Sequence, residues 1–436
     1  MRILILSQWF DPEPFFKGLP FAKALKEKGH EVQVLTGFPN YPGGKVYPGY
    51  RIKLFQRENM DGIPVTRVAL YPSHDRSSIK RILNYLSFAI FAAIFGPILV
   101  GDVDLIYAYH PPATIGLPAL ILKYLKKAPI VYDIQDLWPD AVRVSGMLNS
   151  KIAISLLDLW CKLIYRFSDK IVVLSPGFKE ALKSRGVPAE KIEVIYNWCD
   201  ENSLLFGTKT IDFKDELIFK GKFNIIFAGN IGKGQGLEAI IDAAELLKGE
   251  CLNIQFIFVG DGVELESLRS KAEKKKLSNV IFLSRRPITQ IGELLCRADV
   301  LLVHLKDIPL FKITIPSKIQ AYMSIGKPIM VGAKGDAEKL VKEAKAGISC
   351  IPGDPRSIAE CAKIFYEMES ETLKNMGNNG KHFYENNLSI KVGVEKFSNL
   401  FYEIDKQKSR ANKNKKALIR IPGKMRNEHG KRIVKP

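Results

Sequence analysis

Short, almost wholly apolar runs alternate with helix-length amphipathic stretches along most of this chain, and that rhythm restricts the fold more than any other feature. In the first half the runs are Ile3–Leu6, Glu31–Leu35, Val65–Leu70, Asp104–Ala108, Ile130–Asp133, Lys170–Leu174 and Ile192–Ile195. In the second half they are Phe223–Ala228, Ile254–Val259, Val280–Leu283, Val300–His304 and Ile329–Val331. Strands apolar on both sides are strands covered on both faces. Between them lie helical patterns such as Leu19–Lys28, Gly177–Arg185, Leu237–Leu247 and Glu264–Lys275. The alternation predicts βα units and parallel sheets.

A polar, patternless stretch from about Asp200 to Lys222 separates the two series. The 436 residues suit two or three domains better than one, although a single large α/β domain is the alternative. The reading is therefore a first Rossmann-like domain over residues 1–200, a linker over 201–222, and a second such domain over 223–380. A helical segment over 381–405 and a basic tail over 406–436 complete it. Ligands of open α/β sheets sit beyond the carboxyl ends of the strands, so two facing domains place the site in the cleft between them.

Formal charge is +19, from 65 basic and 46 acidic residues. Such a balance excludes an acidic solubility factor and leaves nucleic acid, phosphorylated small molecules or a membrane surface as partners. Twelve Lys/Arg and one acid, Glu428, lie between Lys406 and Pro436, a stretch with no aromatic residue and an expectation of disorder. Six cysteines are scattered with no CxxC pair, as in the reduced thiols of a cytoplasmic protein, with neither a disulfide frame nor a metal site. The N-terminal apolar burst, Ile3–Leu6, meets Ser7 and Gln8 at once, which is too short for a signal peptide.

Leu83–Val100 carries no charge over 18 residues and is preceded by Lys80 and Arg81. That length just reaches a bilayer span, but crossing would put neighbouring strands of one sheet on opposite sides. Seating in the plane of a membrane surface is the leading expectation, an ordinary core helix the second, a true span the last. Lys151–Lys170 repeats the theme: Ile152, Leu156, Leu159, Trp160, Leu163 and Phe167 recur at helical spacing among lysines and Arg166. Packing of that helix on the sheet, with solvated lysines, is the alternative.

Chemistry concentrates where strands turn into helices. Phe227–Glu238 (FAGNIGKGQGLE) is a strand, a Gly-rich turn and a helix start. Glycines let the backbone approach a ligand, and free N–H groups at the helix start attract phosphate. Gly229, Asn230, Lys233, Gln235 and Gly236 are the candidate contacts. Val259-Gly-Asp-Gly262 closes the next strand, and Ser284-Arg285-Arg286 the one after. Pro316, Ser317 and Lys318 then open another helix, where the Lys318 cation can neutralise a diphosphate. Together these turns suit a nucleoside diphosphate.

With those turns in view, the chain resembles family 4 glycosyltransferases of GT-B architecture, close to the WbuB-type enzymes that include N-acetylfucosaminyl transferases. The resemblance rests on Phe21–Thr36, Gly37–Tyr50, Asp133–Asp140 (DIQDLWPD), Val173–Gly177 (VLSPG), Val194–Asp200 (VIYNWCD), Phe227–Glu238 and Pro316–Pro328 (PSKIQAYMSIGKP). It spans about residues 1–400. It implies a nucleotide-sugar donor, UDP-linked by preference, held mainly by the second domain, and an acceptor held mainly by the first. Retention of anomeric configuration without metal or other cofactor is also implied. So is a polyprenyl-diphosphate-linked sugar acceptor, in O-antigen, capsule or exopolysaccharide assembly at the inner face of the cytoplasmic membrane.

The family pattern is broken at informative places. Its two acidic residues ahead of the GKP turn fall on Ile313 and Ala321 here, and the Arg and Lys of its phosphate turn fall on Asn230 and Gln235. Ser317, Lys318 or Gln320 are the available replacements for ribose recognition. In the first domain the resemblance implies a donor-phosphate role for the Gly18 loop, in which Lys17 is alternatively a solvated turn residue. His110 follows a strand end and is expected to project into the cleft. Asp133 and Asp136 flank the next strand end, with Asp136 the acceptor contact or else a helix cap. Lys318, His110 and Asp136 are thus the catalytic candidates. Asp102-Val-Asp104 imitates a metal-binding DxD but precedes its strand, at the wrong sheet edge. A nucleotide-sugar 2-epimerase is the alternative enzyme. Nucleic-acid binding by the tail is disfavoured because no aromatics interleave its charges, which leaves anionic lipid as its target.

Overall fold

The computed structural model describes residues 1–419 other than 16, 74–76, 149, 206–217 and 250, with side chains described through residue 408. Two sheets organise it. The first contains β1 (Arg2–Leu6), β2 (Glu31–Gly37), β3 (Phe55–Met60), β4 (Ile63–Val68), β5 (Leu105–His110), β6 (Ile130–Ile134), β7 (Lys170–Val173) and β8 (Ile192–Val194). Its order is β3-β4-β2-β1-β5-β6-β7-β8. Only β3 runs antiparallel, as a hairpin on β4. The second contains β9 (Phe223–Ala228), β10 (Ile254–Val259), β11 (Val280–Leu283), β12 (Val300–His304), β13 (Ile329–Gly332) and β14 (Gly347–Ser349), ordered β11-β10-β9-β12-β13-β14 and wholly parallel. Each sheet reverses its winding beside its first strand, between β1 and β5 and between β9 and β12. Those are the switch points where doubly wound sheets open a crevice.

The helices of the first half are α1 (Leu19–Glu27), α2 (Ser78–Leu99), α3 (Gly116–Lys126), α4 (Asp140–Val144), α5 (Lys151–Phe167), α6 (Pro176–Ser184) and α7 (Glu201–Leu205). Those of the second are α8 (Glu238–Leu247), α9 (Leu265–Lys274), α10 (Ile288–Cys296), α11 (Pro309–Lys312), α12 (Ser317–Ile325), α13 (Asp336–Glu343), α14 (Pro355–Glu367), α15 (Ser370–Asn387) and α16 (Ile390–Ile419). Alternation along β1 shows why both sheet faces need a cover. Ile3 and Ile5 pack with α1 and with Phe397 and Phe401 of α16, while Leu4 and Leu6 pack with Phe88 of α2 and Leu122 of α3. The last helix therefore returns to the first sheet. His30 bonds Ser398 at 2.8 Å, Lys28 pairs with Glu395, and Gly393 lies so close to the Trp198 ring that a Cβ would stand 2.4 Å from it.

Two expectations change here, and a third holds. The stretch read as a patternless linker begins with α7, whose Leu204 carbonyl lies against Gly292 of α10; residues 206–217 lie outside the described residues. The tail expected to lose order at Lys406 continues α16 as far as Ile419; residues 420–436 lie outside the description. The DxD pair behaves as its position requires, since Asp102 and Asp104 hold the Arg2 guanidinium at the amino edge of the sheet.

α2 divides into two sides. Asn84, Tyr85, Phe88, Ala89, Ala92, Ala93 and Gly96 are buried, and Gly96 sits where a Cβ would be 2.8 Å from Leu35. Ile79, Leu83, Leu86, Ile90, Ile94 and Ile98 form an exposed apolar row, reaching 77% exposure at Ile98. α5 does the same, burying Ile154, Cys161, Ile164 and Tyr165 while exposing Ile152, Leu156, Leu159, Leu163 and Phe167. Trp160 departs from the expected lipid-facing stripe: it turns inward, and its Nε1 donates to the Ala113 carbonyl at 3.0 Å. Between the two helices α3 exposes Tyr124 and Leu125.

Candidate active site in the interdomain cleft

The Gly-rich turn after β9 is built from main chain stacked on main chain. Gly229 N–H donates to Val259 O at 2.9 Å and Ile231 N–H to Asp261 O at 2.8 Å, so the turns after β9 and β10 lie one on the other. A Cβ on Gly260 would be 2.0 Å from the Gly229 carbonyl, and one on Gly262 2.2 Å from that of Ile231. Gly229, Gly260 and Gly262 have φ of +133°, +151° and +158°, values that favour glycine. Gly229, Asn230 and Lys233 are exposed at the rim. Gln235 is not: its Oε1 accepts from Gly232 N–H at 3.2 Å, closing the turn on itself.

His304, which sequence reasoning placed in a strand and gave no role, holds the far end of this turn. Its Nδ1 lies 2.5 Å from Gln235 O, and Gly353 N–H donates to its Nε2 at 3.1 Å. An acceptor Nε2 makes Nδ1–H the donor to Gln235. Burial pulls the imidazole below its ordinary value and keeps it in that neutral form. Gly236, at φ +61°, fits between His304 and Lys306.

α12 starts beside the same turn. Ser317 is exposed there, one residue after Pro316. The Lys318 ammonium is enclosed, 3.5 Å from the centroid of the Phe227 ring and with no hydrogen-bond partner among the described residues. A Cβ on Gly229 would be 3.5 Å from that Nζ. Burial lowers the Lys318 ammonium to about 7, so a nearby anion would be repaid by drawing a proton onto it. Gln320 corrects the expectation that it reaches a ribose. Its amide is buried and its nitrogen donates to the Pro316 and Ser317 carbonyls at 3.0 and 3.1 Å. The positions of the missing acids are also accounted for: Ile313 packs on Gly177, and Ala321 is half-buried inside α12.

Across the cleft the first domain presents side chains. Asp136 stands exposed after β6, and partial desolvation raises its carboxyl above the usual range. It does not cap α4, since the N-cap is Pro139 without a side-chain bond. The Tyr41 phenol feels both Asp136 and Arg285 of the opposite domain, so the loops after β6 and β11 face each other. Arg286, half-buried, follows Arg285. Glu13 fixes Tyr41 in place, its carboxylate accepting from the main-chain N–H groups of Phe10, Asn40 and Tyr41. Desolvation lifts the Glu13 carboxyl to about 7 against those three bonds.

Two first-domain expectations are corrected. β5 runs two residues past the apolar pattern, so His110 ends the strand instead of standing in the loop. Its ring is buried between Tyr132 and Trp138, both nitrogens lack partners among the described residues, and burial drops it to about 3. It does not project into the cleft. Gly18 is buried too, and the start of α1 is already served by Asp11, whose carboxylate accepts from Leu19 N–H at 2.6 Å. Lys17 is not solvated. It pairs at 2.5 Å with Asp133, both fully buried, and Asp133 also accepts from Tyr107 OH and from Gln135 Nε2 at 2.6 Å.

The lobes meet directly at Gly177, whose N–H donates to Asp336 at 2.6 Å, and at Ser175, whose hydroxyl donates to Ile313 O at 2.5 Å. At the other crossing, the Tyr384 hydroxyl donates to Glu201 at 2.7 Å and lies 3.1 Å from the Cys199 sulfur. A cavity of about 150 Å³ beside this hinge is lined by Asp11, Glu13, Phe15, Trp198 and Asp200. A larger one, about 400 Å³, lies between α9 and β11 on the outer side of the second domain, away from both glycine turns.

Two doubly wound sheets facing across a cleft, with stacked glycine turns on one edge, form the GT-B architecture, and the domain matches place the chain among the glycosyltransferases. Within that class, residues 19–198 match the glycosyl transferase 4-like domain and residues 208–383 the glycosyl transferases group 1 domain. The chain is 27% identical over 299 residues to a Pseudomonas aeruginosa protein named as glycosyltransferase WbjE, covering 68% of this chain and 73% of that one. It is 28% identical over 364 residues to an Escherichia coli K12 protein named as a colanic acid biosynthesis glycosyl transferase, WcaI, covering 78% and 84%. Among solved structures, Anabaena HepE in complex with UDP superposes with a TM-score of 0.64 at 18% identity, covering 92% of this chain and all of that one. The E. coli trehalose-6-phosphate protein bound with UDP-2-fluoro glucose gives 0.70 at 12% identity, covering 92% and 99%.

Proposed function

We propose that the protein transfers a sugar, N-acetylfucosamine being the leading candidate, from a UDP-linked donor to a polyprenyl-diphosphate-linked sugar, with retention, in assembly of a bacterial surface polysaccharide. The observation that carries the reading is the stack of Gly229 and Gly260 at the switch point of the second sheet, with Lys318 at its back. The helix starts beside that stack favour a diphosphate without a carboxylate's help. The family's acids are absent, so Lys233, Lys318 and Arg285 supply the positive charge that stabilises the departing UDP, and no metal ion is needed. Asp136 is an exposed carboxylate that Tyr41 senses together with Arg285, and it orients the acceptor hydroxyl. Proton acceptance falls to the donor phosphate itself, a route consistent with retention.

The exposed rows of α2, α3 and α5 support a seat on the cytoplasmic face of the membrane, with basic Lys151, Lys162 and Arg166 among them. Such a mixture of apolar and basic residues suits an anionic lipid surface. The names of WcaI and of HepE with UDP and glucose agree with a polysaccharide product and a uridine donor.

Offering purified protein a panel of nucleotide sugars with lipid-diphosphate-linked acceptors, read by mass spectrometry, should show one donor consumed and the acceptor grown by one sugar. A new epimer formed from UDP-N-acetylglucosamine with no acceptor present would replace this reading by an epimerase.

A further inference from the structure

Between the apolar row of α2 and the cleft stands one cation that the donor site does not use. Arg81 lies one helical turn before Tyr85, on the same side of α2. Its Nε is buried and has no hydrogen-bond partner among the described residues. A guanidinium N–H withdrawn from water and left without an acceptor is costly, and a bound anion would relieve it. On one side of Arg81 the helix exposes Ile79, Leu83 and Leu86. On the other, Tyr85 begins a wall of aromatic rings leading to the cleft. Its centroid lies 6.3 Å from Trp9 and 6.4 Å from Trp138, and Trp9 lies 5.0 Å from Tyr41. The Tyr85 phenol feels Arg81 together with Tyr41 and Asp136, so the cation is within electrostatic reach of the acceptor side.

We propose that Arg81 anchors the diphosphate of the lipid-linked acceptor at the point where the apolar row of α2 meets the cleft. The proposal deepens the lipid-acceptor reading and rests on it. An isoprenoid chain lying on Leu83, Leu86 and Ile90 leaves its phosphates at the N-terminal end of α2, and the sugar beyond them passes Trp9 and Tyr41 toward Asp136. Asn84 keeps this stretch of helix in register: its Oδ1 accepts from Gln8 at 2.5 Å, and its Nδ2 donates to Asn40 at 3.1 Å and to Tyr71 O at 2.7 Å. Arg81 touches neither donor nor reacting carbon, so its effect belongs to acceptor binding.

The test uses full-length protein in detergent micelles with UDP saturating, so that the donor phosphate site is filled. Farnesyl diphosphate and farnesol are titrated as probes. Wild type should prefer the diphosphate, and Arg81→Ala should reduce that preference about tenfold, with Arg81→Lys intermediate. UDP affinity and melting temperature should not change. Arg81→Ala that melts and binds UDP as wild type yet keeps the preference overturns the proposal. Loss of binding to phosphatidylglycerol vesicles in parallel with the loss of preference would assign Arg81 to lipid headgroups and overturn it as well. Failure of wild type to bind UDP at all would instead remove the nucleotide-sugar reading beneath it.

Discussion

The two lobes share a doubly wound plan that reverses beside its first strand, but they offer the cleft different materials. The second lobe presents backbone: Gly260 and Gly262 pack so closely that no side chain fits, Gly229 holds a φ of +133°, and His304 ties the turn down from behind. The first lobe presents side chains: Tyr41, Trp9 and Asp136, held by buried charges such as Lys17–Asp133 and the Glu13 carboxylate. The contrast teaches a division of labour. Under the proposed function, helix starts beside the close-packed turns would receive the diphosphate that donors have in common, whereas side chains would receive an acceptor that differs from one enzyme to another.

Substitutions should separate the two materials. The largest effect is expected at Gly260, where a methyl group would meet the Gly229 carbonyl at a φ of +151°. Gly260→Ala should cost about 4 kcal/mol of stability and abolish UDP binding, read by thermal melting and calorimetry. A variant that binds UDP normally would show that the stacked turns are not the donor site. Next comes Lys17→Met, which leaves Asp133 buried without its counter-ion. About 3–5 kcal/mol should be lost in denaturant unfolding, and an unchanged midpoint would place the first lobe's rigidity elsewhere. Asp136→Asn should lower kcat about 100-fold with UDP affinity intact, and a loss of UDP affinity instead would blur the division between lobes.

The smallest effect concerns pH. Burial lowers Lys318 to about 7, so between that value and the ordinary lysine range the unfolded chain binds a proton that the folded one does not. Unfolding free energy should therefore rise with pH from about 7 to 10, and Lys318→Met should flatten that rise in urea titrations at successive pH. UDP affinity of the wild type should fall over the same window as the ammonium loses its proton. A pH-independent affinity would take Lys318 out of the diphosphate site.

Much of the second lobe was legible because its strands are buried on both sides and announce themselves as apolar runs; β9, β10, β11 and β12 begin and end where the pattern does. β3 escaped, being a polar hairpin partner at the sheet edge, as did the three-residue β14. The glycine turns were legible because their composition is their mechanism. Side-chain roles were less so. His110 was misplaced because β5 outruns its apolar run, and Gln320 because nothing in PSKIQ says that its amide folds back onto its own helix. Arg81 and His304 depend on which elements pack beside them, and a single sequence carries no local trace of that.

Because Val394, Phe397, Leu400, Phe401 and Ile404 complete the hydrophobic core beneath Ile3, Phe21 and Tyr107, the earliest-made sheet waits for some of the latest-made residues. During synthesis the first lobe must remain unfinished, with that floor open, until the second lobe has been translated and α16 has cleared the ribosome. Completion of the first lobe thus depends on synthesis of the whole second lobe, and a chain that stalls before residue 394 leaves the first sheet uncovered on one face.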